Sequence, residues 1–120
     1  MISIVDDDAF VREATKSLIR SLGYAAATFA SGEEFLKSDR IHDTSCLITD
    51  LQMPGMNGLE LQTRLIASGR RLPIIFVTAS PETQAQAQAL AAGAAGFLSK
   101  PLGDETLISC LDQALAAHRT

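Results

Sequence analysis

Apolar positions along the chain change their spacing repeatedly, and each change marks a boundary between a predicted strand and a predicted helix. Short apolar runs bounded by turn residues indicate buried parallel strands. They predict strands at residues 2–5, 25–29, 46–50, 73–78 and 95–99. Between and after these runs, apolar residues recur three or four positions apart, as they do on one face of a helix. The predicted helices open near Ala9, Ser31, Gly58, Pro81 and Asp104.

The strict alternation of five strands and five helices favours an α/β fold with a single doubly wound parallel sheet and helices on both faces. With 120 residues and short connections, the chain is expected to form one domain, residues 1–120, and any effector domain is expected beyond Thr120. Apolar residues make up 47% of the sequence, which is enough for a core without a disulfide or a structural metal. Asp8, Ser31 and Asp104 are the predicted helix caps.

The charge balance argues against two classes of partner. The net charge is −4 and the ten basic residues are scattered, so direct nucleic-acid binding by this domain is not expected. No apolar run approaches the ~18 residues of a membrane span, and the first residues lack the basic start of a signal peptide. Cys46 and Cys110 have the pattern of small core residues, which favours reduced thiols and a cytoplasmic location.

Charged and hydroxyl residues stand where the predicted strands end. In chain order they are Asp6, Asp7, Asp50, Thr78 and Lys100. Ligands of open parallel sheets bind outside the carboxyl ends of the strands, so these side chains are expected to lie together. The sequence therefore predicts one polar site at that edge of the sheet.

Three carboxylates gathered at one point repel one another, by about 4 kcal/mol per pair at roughly 4 Å and an effective dielectric constant of about 20. Mg²⁺, or Mn²⁺, would remove that repulsion, because hard cations bind carboxylate, water and phosphate oxygens. Lys100 adds a positive charge, and Thr78 adds a hydroxyl donor. Such a set fits a phosphoryl group, and carboxylate attack by Asp50 on phosphorus would give an acyl phosphate.

Four parts of the sequence together resemble the receiver domain of two-component response regulators, and the resemblance extends over essentially the whole chain. They are Val5-Asp6-Asp7, residues 49–58 (TDLQMPGMNG), Val77-Thr78-Ala79, and the stretch from residues 92–94 (AGA) to residues 97–101 (FLSKP). The resemblance implies the flavodoxin-like strand order 2-1-3-4-5. It also implies phosphotransfer to Asp50 from a histidine kinase or a phosphotransfer protein, in a signalling domain that is not a turnover enzyme.

The same resemblance implies a role for each residue of the site. The expected metal ligands are Asp6, Asp7, Asp50 and the backbone carbonyl of Gln52. The expected switch and phosphoryl-contacting residues are Thr78, Ala79, Phe97 and Lys100. Pro101 is expected to follow a cis peptide bond. Residues 31–36 and the helix after Pro81 resemble receivers joined to transcription factors of the LuxR-like class, which implies a transcriptional output.

Two other functional classes remain open from the residues alone. The pattern Asp6-x-Asp8 after a strand resembles the first motif of haloacid-dehalogenase-type phosphatases, with Asp6 as nucleophile and Asp8 as acid. The other class is a non-catalytic flavodoxin-like binding module, although one Tyr and no Trp offer little to a flavin. A turnover assay on a phosphomonoester separates the phosphatase from a receiver.

The fourth predicted helix carries no charge after Glu82, where Gln84, Gln86 and Gln88 alternate with alanines. Free helices usually have charged outer faces, so a neutral one indicates a surface that meets a partner, although alanine also favours a helix by itself. In receivers, the surface made by the fourth helix, fifth strand and fifth helix changes on phosphorylation. The resulting hypothesis is a phosphorylation-dependent two-fold homodimer through that surface.

Overall fold

Five short strands form one parallel sheet in the computed structural model, which describes residues 1–79, 83–100 and 103–118. The strands are β1 (Ile2–Val5), β2 (Ala26–Phe29), β3 (Cys46–Asp50), β4 (Ile74–Thr78) and β5 (Gly96–Ser99). Their order is β2-β1-β3-β4-β5, and all neighbouring pairs are parallel. The predicted fold class and strand order are confirmed, and each predicted strand lies within one residue of its expected bounds.

The helices alternate with the strands, as predicted. They are α1 (Ala9–Ser21), α2 (Gly32–Lys37), α3 (Gly58–Ala67), α4 (Thr83–Ala91) and α5 (Asp104–His118). A 3₁₀ helix, Asp39–Asp43, lies between α2 and β3, where no helix was predicted. The expected start of the fourth helix, at Pro81 and Glu82, lies outside the described residues. None of the helices in the described ranges has the length and apolar character needed to cross a bilayer.

The predicted helix caps are only partly correct. Ser31 Oγ accepts a hydrogen bond from the Glu34 backbone N–H at 3.1 Å, as a capping residue should. The Glu34 carboxylate accepts from the Ala30 N–H at 3.4 Å rather than from the N–H of Ser31, so the reciprocal half of the capping box is displaced by one residue. Asp104 is the first residue of α5 and not its cap. Its charge still stabilises the positive end of the helix.

The sheet separates two hydrophobic cores, because alternate residues of each strand point to opposite faces. Val5 belongs to the core that contains residues of α2, α3 and α4, whereas Ile4 belongs to the core that contains residues of α1 and α5. Ile48 of β3 lies in the same core as Ile4. Asp6 and Asp50 each follow two residues later, so they continue the face covered by α1 and α5 at the carboxyl edge of the sheet.

Candidate functional site

The carboxyl edge of the sheet brings three carboxylates together. Val5 of β1 pairs with Thr49 of β3, so Asp6 and Asp50 follow at the ends of adjacent strands. Oxygen atoms of Asp6, Asp7 and Asp50 lie within 4.8 Å of one another. Asp6 and Asp50 are 4% and 8% exposed, whereas Asp7 is an exposed residue. The clustering expected from the strand ends is therefore present.

Lys100 supplies the positive charge of this cluster. Its Nζ lies 3.1 Å from Asp6 Oδ2 and 3.1 Å from Asp50 Oδ2, and its side chain is 19% exposed. The backbone N–H of Lys100 donates to the carbonyl oxygen of Thr78 at 2.8 Å. This bond ties the residue after β5 to the last residue of β4, and it holds Lys100 over the ends of the central strands.

Burial and charge act in opposite directions on Asp50 and Lys100. Burial raises the pKa of the Asp50 carboxyl above its usual value, and the nearby Asp6 charge adds to the rise. The Lys100 ammonium and the Gln52 N–H oppose that shift without cancelling it. Burial alone would lower the pKa of Lys100, but hydrogen bonds to Asp50 and Asp6 outweigh it and raise the pKa. Lys100 therefore stays charged at neutral pH and attracts anionic groups.

The cluster fits a hard divalent cation such as Mg²⁺ or Mn²⁺, because its donors are all carboxylate oxygens and lie close together. Among the described residues, no hydrogen bond or ion pair to the Asp7 carboxylate is present. The oxygens of Asp7 are therefore free to bind a metal. Gln52 lies next to the cluster, since its backbone N–H donates to Asp50 Oδ1 at 3.2 Å.

The turn that carries Asp6 and Asp7 is held by side-chain hydrogen bonds. The Asp8 N–H donates to Asp6 Oδ1 at 2.9 Å, and Arg12 Nη1 donates to the Asp6 carbonyl oxygen at 2.7 Å. Asp8 is the N-cap of α1, and its carboxylate accepts from the backbone N–H of Phe10 at 2.9 Å. Because the Asp8 carboxylate caps a helix, it is not placed as the general acid that the phosphatase hypothesis requires.

A close contact behind Asp50 fixes the loop that follows β3. The Gly58 N–H donates to the Leu51 carbonyl oxygen at 2.8 Å. A Cβ atom on Gly58 would lie 2.7 Å from the Asp50 carbonyl oxygen and 3.0 Å from the Phe76 ring. Only glycine allows this approach, so the first turn of α3 presses directly against the backbone of Asp50.

The remaining predicted site residues lie on β4 and β5. Thr78 is fully buried, one position beyond Val77, the residue that pairs with Asp50. Ala79 follows it and is exposed. Phe97 of β5 is half-buried, with its ring centroid 6.1 Å from that of Phe76. Pro101, expected to follow a cis peptide bond, lies outside the described residues.

An apolar groove of about 480 Å³ opens beside the cluster, between α1 and the start of α5. It is lined by Phe10, Val11, Ala14, Thr15, Leu18, Ala79, Lys100 and Asp104. Phe10 is 83% exposed, which is unusual for a large aromatic side chain. An apolar surface therefore lies directly beside the polar site.

Sequence reasoning missed Phe10, Arg12 and Gly58. The strand-end rule finds residues that follow strands, whereas Phe10 and Arg12 lie on a helix and reach the site from its side. Arg12 stands four positions after the helix cap, the helical spacing that places it one turn from Asp8. That spacing was the available signal. Gly58 was predicted only as the start of a helix and as the end of the stretch 49–58, because its contact with Asp50 depends on tertiary packing.

Comparison with known proteins agrees with this geometry. The family described as "Response regulator receiver domain" matches residues 2–112. Nodulation protein W of Bradyrhizobium diazoefficiens is 38% identical over 119 residues, which are 99% of this chain and 52% of that protein. Transcriptional regulatory protein TdiR of Thauera aromatica is 37% identical over 118 residues, 98% of this chain and 52% of that protein. The chain spans about half the length of these curated relatives.

A solved structure gives the same picture. The crystal structure of FixJ-N matches with a TM-score of 0.85 and 32% sequence identity, covering 96% of this chain and 92% of that one. The family match covers all five strands of the sheet, and the strand order is the one this resemblance implies. The chain therefore belongs to the family of response regulator receiver domains, the signalling domains of two-component systems.

Proposed function

We propose that this receiver accepts a phosphoryl group on Asp50 from a phosphohistidine of a histidine kinase or phosphotransfer protein. The observation that carries the proposal is the placement of Asp50. Its carboxylate is buried at the end of the central strand, 3.1 Å from Lys100 Nζ and within 4.8 Å of the Asp6 and Asp7 oxygens. The aspartate is thus presented beside an ammonium that can bind the oxygens of an incoming phosphoryl group.

The transfer is a substitution at phosphorus. An Asp50 oxygen forms the new O–P bond while the P–N bond to the donor histidine breaks, and the imidazole leaves with the electron pair of that bond. The Gln52 N–H holds Asp50 Oδ1 in place, and Lys100 faces the growing negative charge. Later attack by water on the acyl phosphate restores the carboxylate and releases inorganic phosphate. The domain is consequently an acceptor with a limited phosphoryl lifetime and not a turnover enzyme.

Asp6, Asp7, Asp50 and the Gln52 carbonyl are the proposed ligands of Mg²⁺ or Mn²⁺. A bound divalent ion would neutralise the charge that Asp50 and the phosphoryl oxygens bring together. The protein's own part is to hold the ligands close before the donor arrives. Asp7 is the exposed member, so it is the ligand that the ion and its waters reach first.

The phosphorylated site carries about two negative charges where Asp50 had one. The proposed response is movement of Thr78 and Ala79 toward the phosphoryl oxygens, with Lys100 as the second contact. Phe97 lies on β5 and packs against Phe76, which is on the same strand as Thr78. Phe97 would therefore follow that movement. This route leads from the site to the surface formed by α4, β5 and α5.

The groove beside Lys100 suits the approach of a phosphodonor protein. An apolar helix face of the donor could pack on Phe10 while its histidine points toward Asp50. For the output, related regulators about twice as long as this chain include one named a transcriptional regulatory protein. We therefore propose residues 1–120 as the receiver of a cytoplasmic regulator whose transcriptional output domain follows Thr120.

The test is incubation with acetyl phosphate and Mg²⁺, followed by intact mass and site mapping. Wild type should gain about 80 Da, the mass of one phosphoryl group, and Asp50→Asn should gain none. Asp112→Asn, which removes an exposed carboxylate from α5, is the matched control and should label like wild type. Robust labelling of Asp50→Asn at another aspartate would overturn the assignment.

The phosphatase alternative is tested on the same preparation. A receiver should show no sustained hydrolysis of a phosphomonoester, and Asp8→Asn should label as wild type does. Turnover that disappears in Asp8→Asn would favour a phosphatase instead.

A further inference from the structure

Arg12 places a full positive charge next to the acidic cluster, and in the described part of the chain it is not paired to a carboxylate. It is half-buried on α1, and its Nη1 donates to the carbonyl oxygen of Asp6 at 2.7 Å. Among the described residues, the ion pairs of the acidic cluster are those of Lys100 with Asp6 and Asp50. The guanidinium therefore donates to a backbone oxygen, although carboxylates lie nearby.

The bonded carbonyl belongs to the peptide unit that joins Asp6 to Asp7. The ladders of β1 end with Val5, which pairs with Phe29 and Thr49, and the sheet holds Asp6 itself through its N–H to the Phe29 carbonyl at 3.1 Å. The Asp6 carbonyl is thus the first backbone oxygen past the paired strand. A donor from α1 is what fixes the direction of this peptide plane.

Asp7 depends on that plane more than its neighbours do. The Asp6 side chain is held by Lys100 and by the Asp8 N–H. For the Asp7 carboxylate, no such hydrogen bond is present in the described part of the chain. Its position follows from the backbone that carries it, and Arg12 restrains that backbone on one side while Asp8 restrains it on the other.

We propose that Arg12 is a positioning residue for the Asp6–Asp7 pair, orienting Asp7 toward a divalent cation through the Asp6 carbonyl. The proposal rests on the function proposed above, since it concerns metal binding by the same acidic cluster. It adds a residue that touches neither the phosphoryl group nor the metal. Partners that orient ligands from behind typically change metal affinity by about 10- to 100-fold when they are removed.

Charge and position predict opposite results, which makes the proposal testable. Removing a positive charge near a cation site strengthens cation binding if charge alone matters. Removing the hydrogen bond that orients Asp7 weakens cation binding. The sign of the change in affinity therefore distinguishes a positioning residue from a bystander charge.

The experiment is a Mg²⁺ titration followed by backbone amide resonances around Asp6–Asp8, on wild type, Arg12→Gln and Arg20→Gln. Glutamine is too short to reach the carbonyl, so Arg12→Gln should bind Mg²⁺ about 10-fold more weakly. Arg20→Gln removes an exposed charge two turns further along α1 and should differ from wild type by less than about 2-fold. Exchange of the Asp8 amide hydrogen in chelator should also be faster in Arg12→Gln.

Unchanged or tighter Mg²⁺ binding in Arg12→Gln would overturn the role of Arg12. Urea unfolding in chelator tests whether Arg12→Gln is folded. If Arg12→Gln is unfolded, Arg12→Met, which keeps the aliphatic stem, takes its place, and it too should bind Mg²⁺ more weakly than wild type. Absence of Mg²⁺ binding by wild type would instead contradict the proposed function. The two failures are therefore distinguishable.

Discussion

At the carboxyl edge of the sheet, the buried negative charge of Asp50 costs folding free energy when no metal is bound. Lys100 Nζ lies 3.1 Å from both Asp6 and Asp50, so one ammonium serves two buried carboxylates. Burial raises the pKa of Asp50 above its unfolded value. The ionised form of Asp50 therefore disfavours the folded state at neutral pH, and that cost is relieved as the pH falls and Asp50 becomes protonated.

Asp50→Asn should stabilise the metal-free protein. The change removes a desolvated charge while Lys100 keeps Asp6 as a partner, so the free energy of unfolding in chelator at pH 7 should rise by about 1 kcal/mol. Asp112→Asn, at an exposed position, should change it by less than about 0.5 kcal/mol. Urea unfolding followed by circular dichroism measures both variants. A less stable Asp50→Asn would show that the Lys100 pair outweighs the burial of Asp50.

Asp7→Ala should weaken Mg²⁺ binding more than Asp6→Ala, by about 10-fold. The reason is that Asp6 is already bonded to Lys100 and to the Asp8 N–H, whereas the Asp7 carboxylate has no such bond among the described residues. Metal titration of the two variants provides the comparison. A larger loss in Asp6→Ala would reverse the assigned order of the two ligands.

Residue by residue, sequence reasoning reached the part of the site that depends on strand ends. Asp6, Asp50 and Lys100 each follow or end a strand, and parallel pairing alone brings such residues together. Arg12 and Phe10 were beyond that reasoning, because a helix side chain meets the site only once the helix packs against the sheet. Thr78 was also found as a strand-end hydroxyl donor, but the switch roles of Thr78 and Phe97 came from resemblance alone and stay proposals.

At the scale of elements, α4 and α5 differ in how closely they pack against the rest of the fold. The buried residue of Thr83–Ala91 is Ala89, whose carbonyl oxygen accepts from Gln62 Nε2 of α3 at 3.1 Å. On the other face of the sheet, α5 lies so close to β5 that a Cβ on Gly96 would overlap Cys110 Sγ. The helix α4 therefore has little apolar anchoring, whereas α5 is in tight contact with the strand.

Gly96→Ala should destabilise the protein by about 2 kcal/mol, because the added methyl group requires α5 to shift. Cys110→Ala should remove the obstacle. In a Cys110→Ala background, Gly96→Ala should therefore lower the free energy of unfolding much less than it does in wild type. A double-mutant cycle of unfolding free energies gives the coupling directly. Additive effects of the two changes would contradict direct contact between these residues.

Elements with a clear apolar pattern, including the short strands, were predicted almost to the residue, whereas the 3₁₀ helix was not predicted. The 3₁₀ helix Asp39–Asp43 buries only Ile41, and one apolar residue produces no detectable period. Asp104 was predicted as a cap because its residue type suits that position, but residue type does not distinguish the cap from the first helical residue. Local chemistry therefore identified the starts of α1, α2, α3 and α5 to within one position.

The whole molecule is two apolar cores on either side of one sheet, and the site lies on one face while α4 lies on the other. Asp6 and Asp50 continue the α1–α5 face, whereas Phe97 packs with the core that contains Ala89 of α4. We propose that a change at Asp50 reaches α4 through the sheet edge, at Thr78 and Phe97. The neutral outer surface of α4 is where we expect a second copy to bind.

Phosphorylation should convert monomer to dimer through α4, β5 and α5. With the phosphoryl mimic beryllofluoride and Mg²⁺, sedimentation should report a dimer at tens of micromolar, about −6 kcal/mol of association free energy. Gln88→Glu adds a charge to an exposed position of α4 and should weaken the dimer. Glu60→Gln on α3 is the control away from that surface. A monomer at this concentration with the mimic bound would exclude the interface.

The ion pair between Lys100 and Asp6 joins residues 94 positions apart. A ribosome adds about 5–20 residues per second, so roughly 5–20 s separate the synthesis of these two partners. During the later part of that interval the growing polypeptide contains Asp50, which precedes Lys100 by 50 positions, without the ammonium that faces it. The proposed acceptor site is therefore complete only after β5 has been translated and has joined the sheet, so we expect a kinase to phosphorylate Asp50 only on chains in which the receiver sheet has formed.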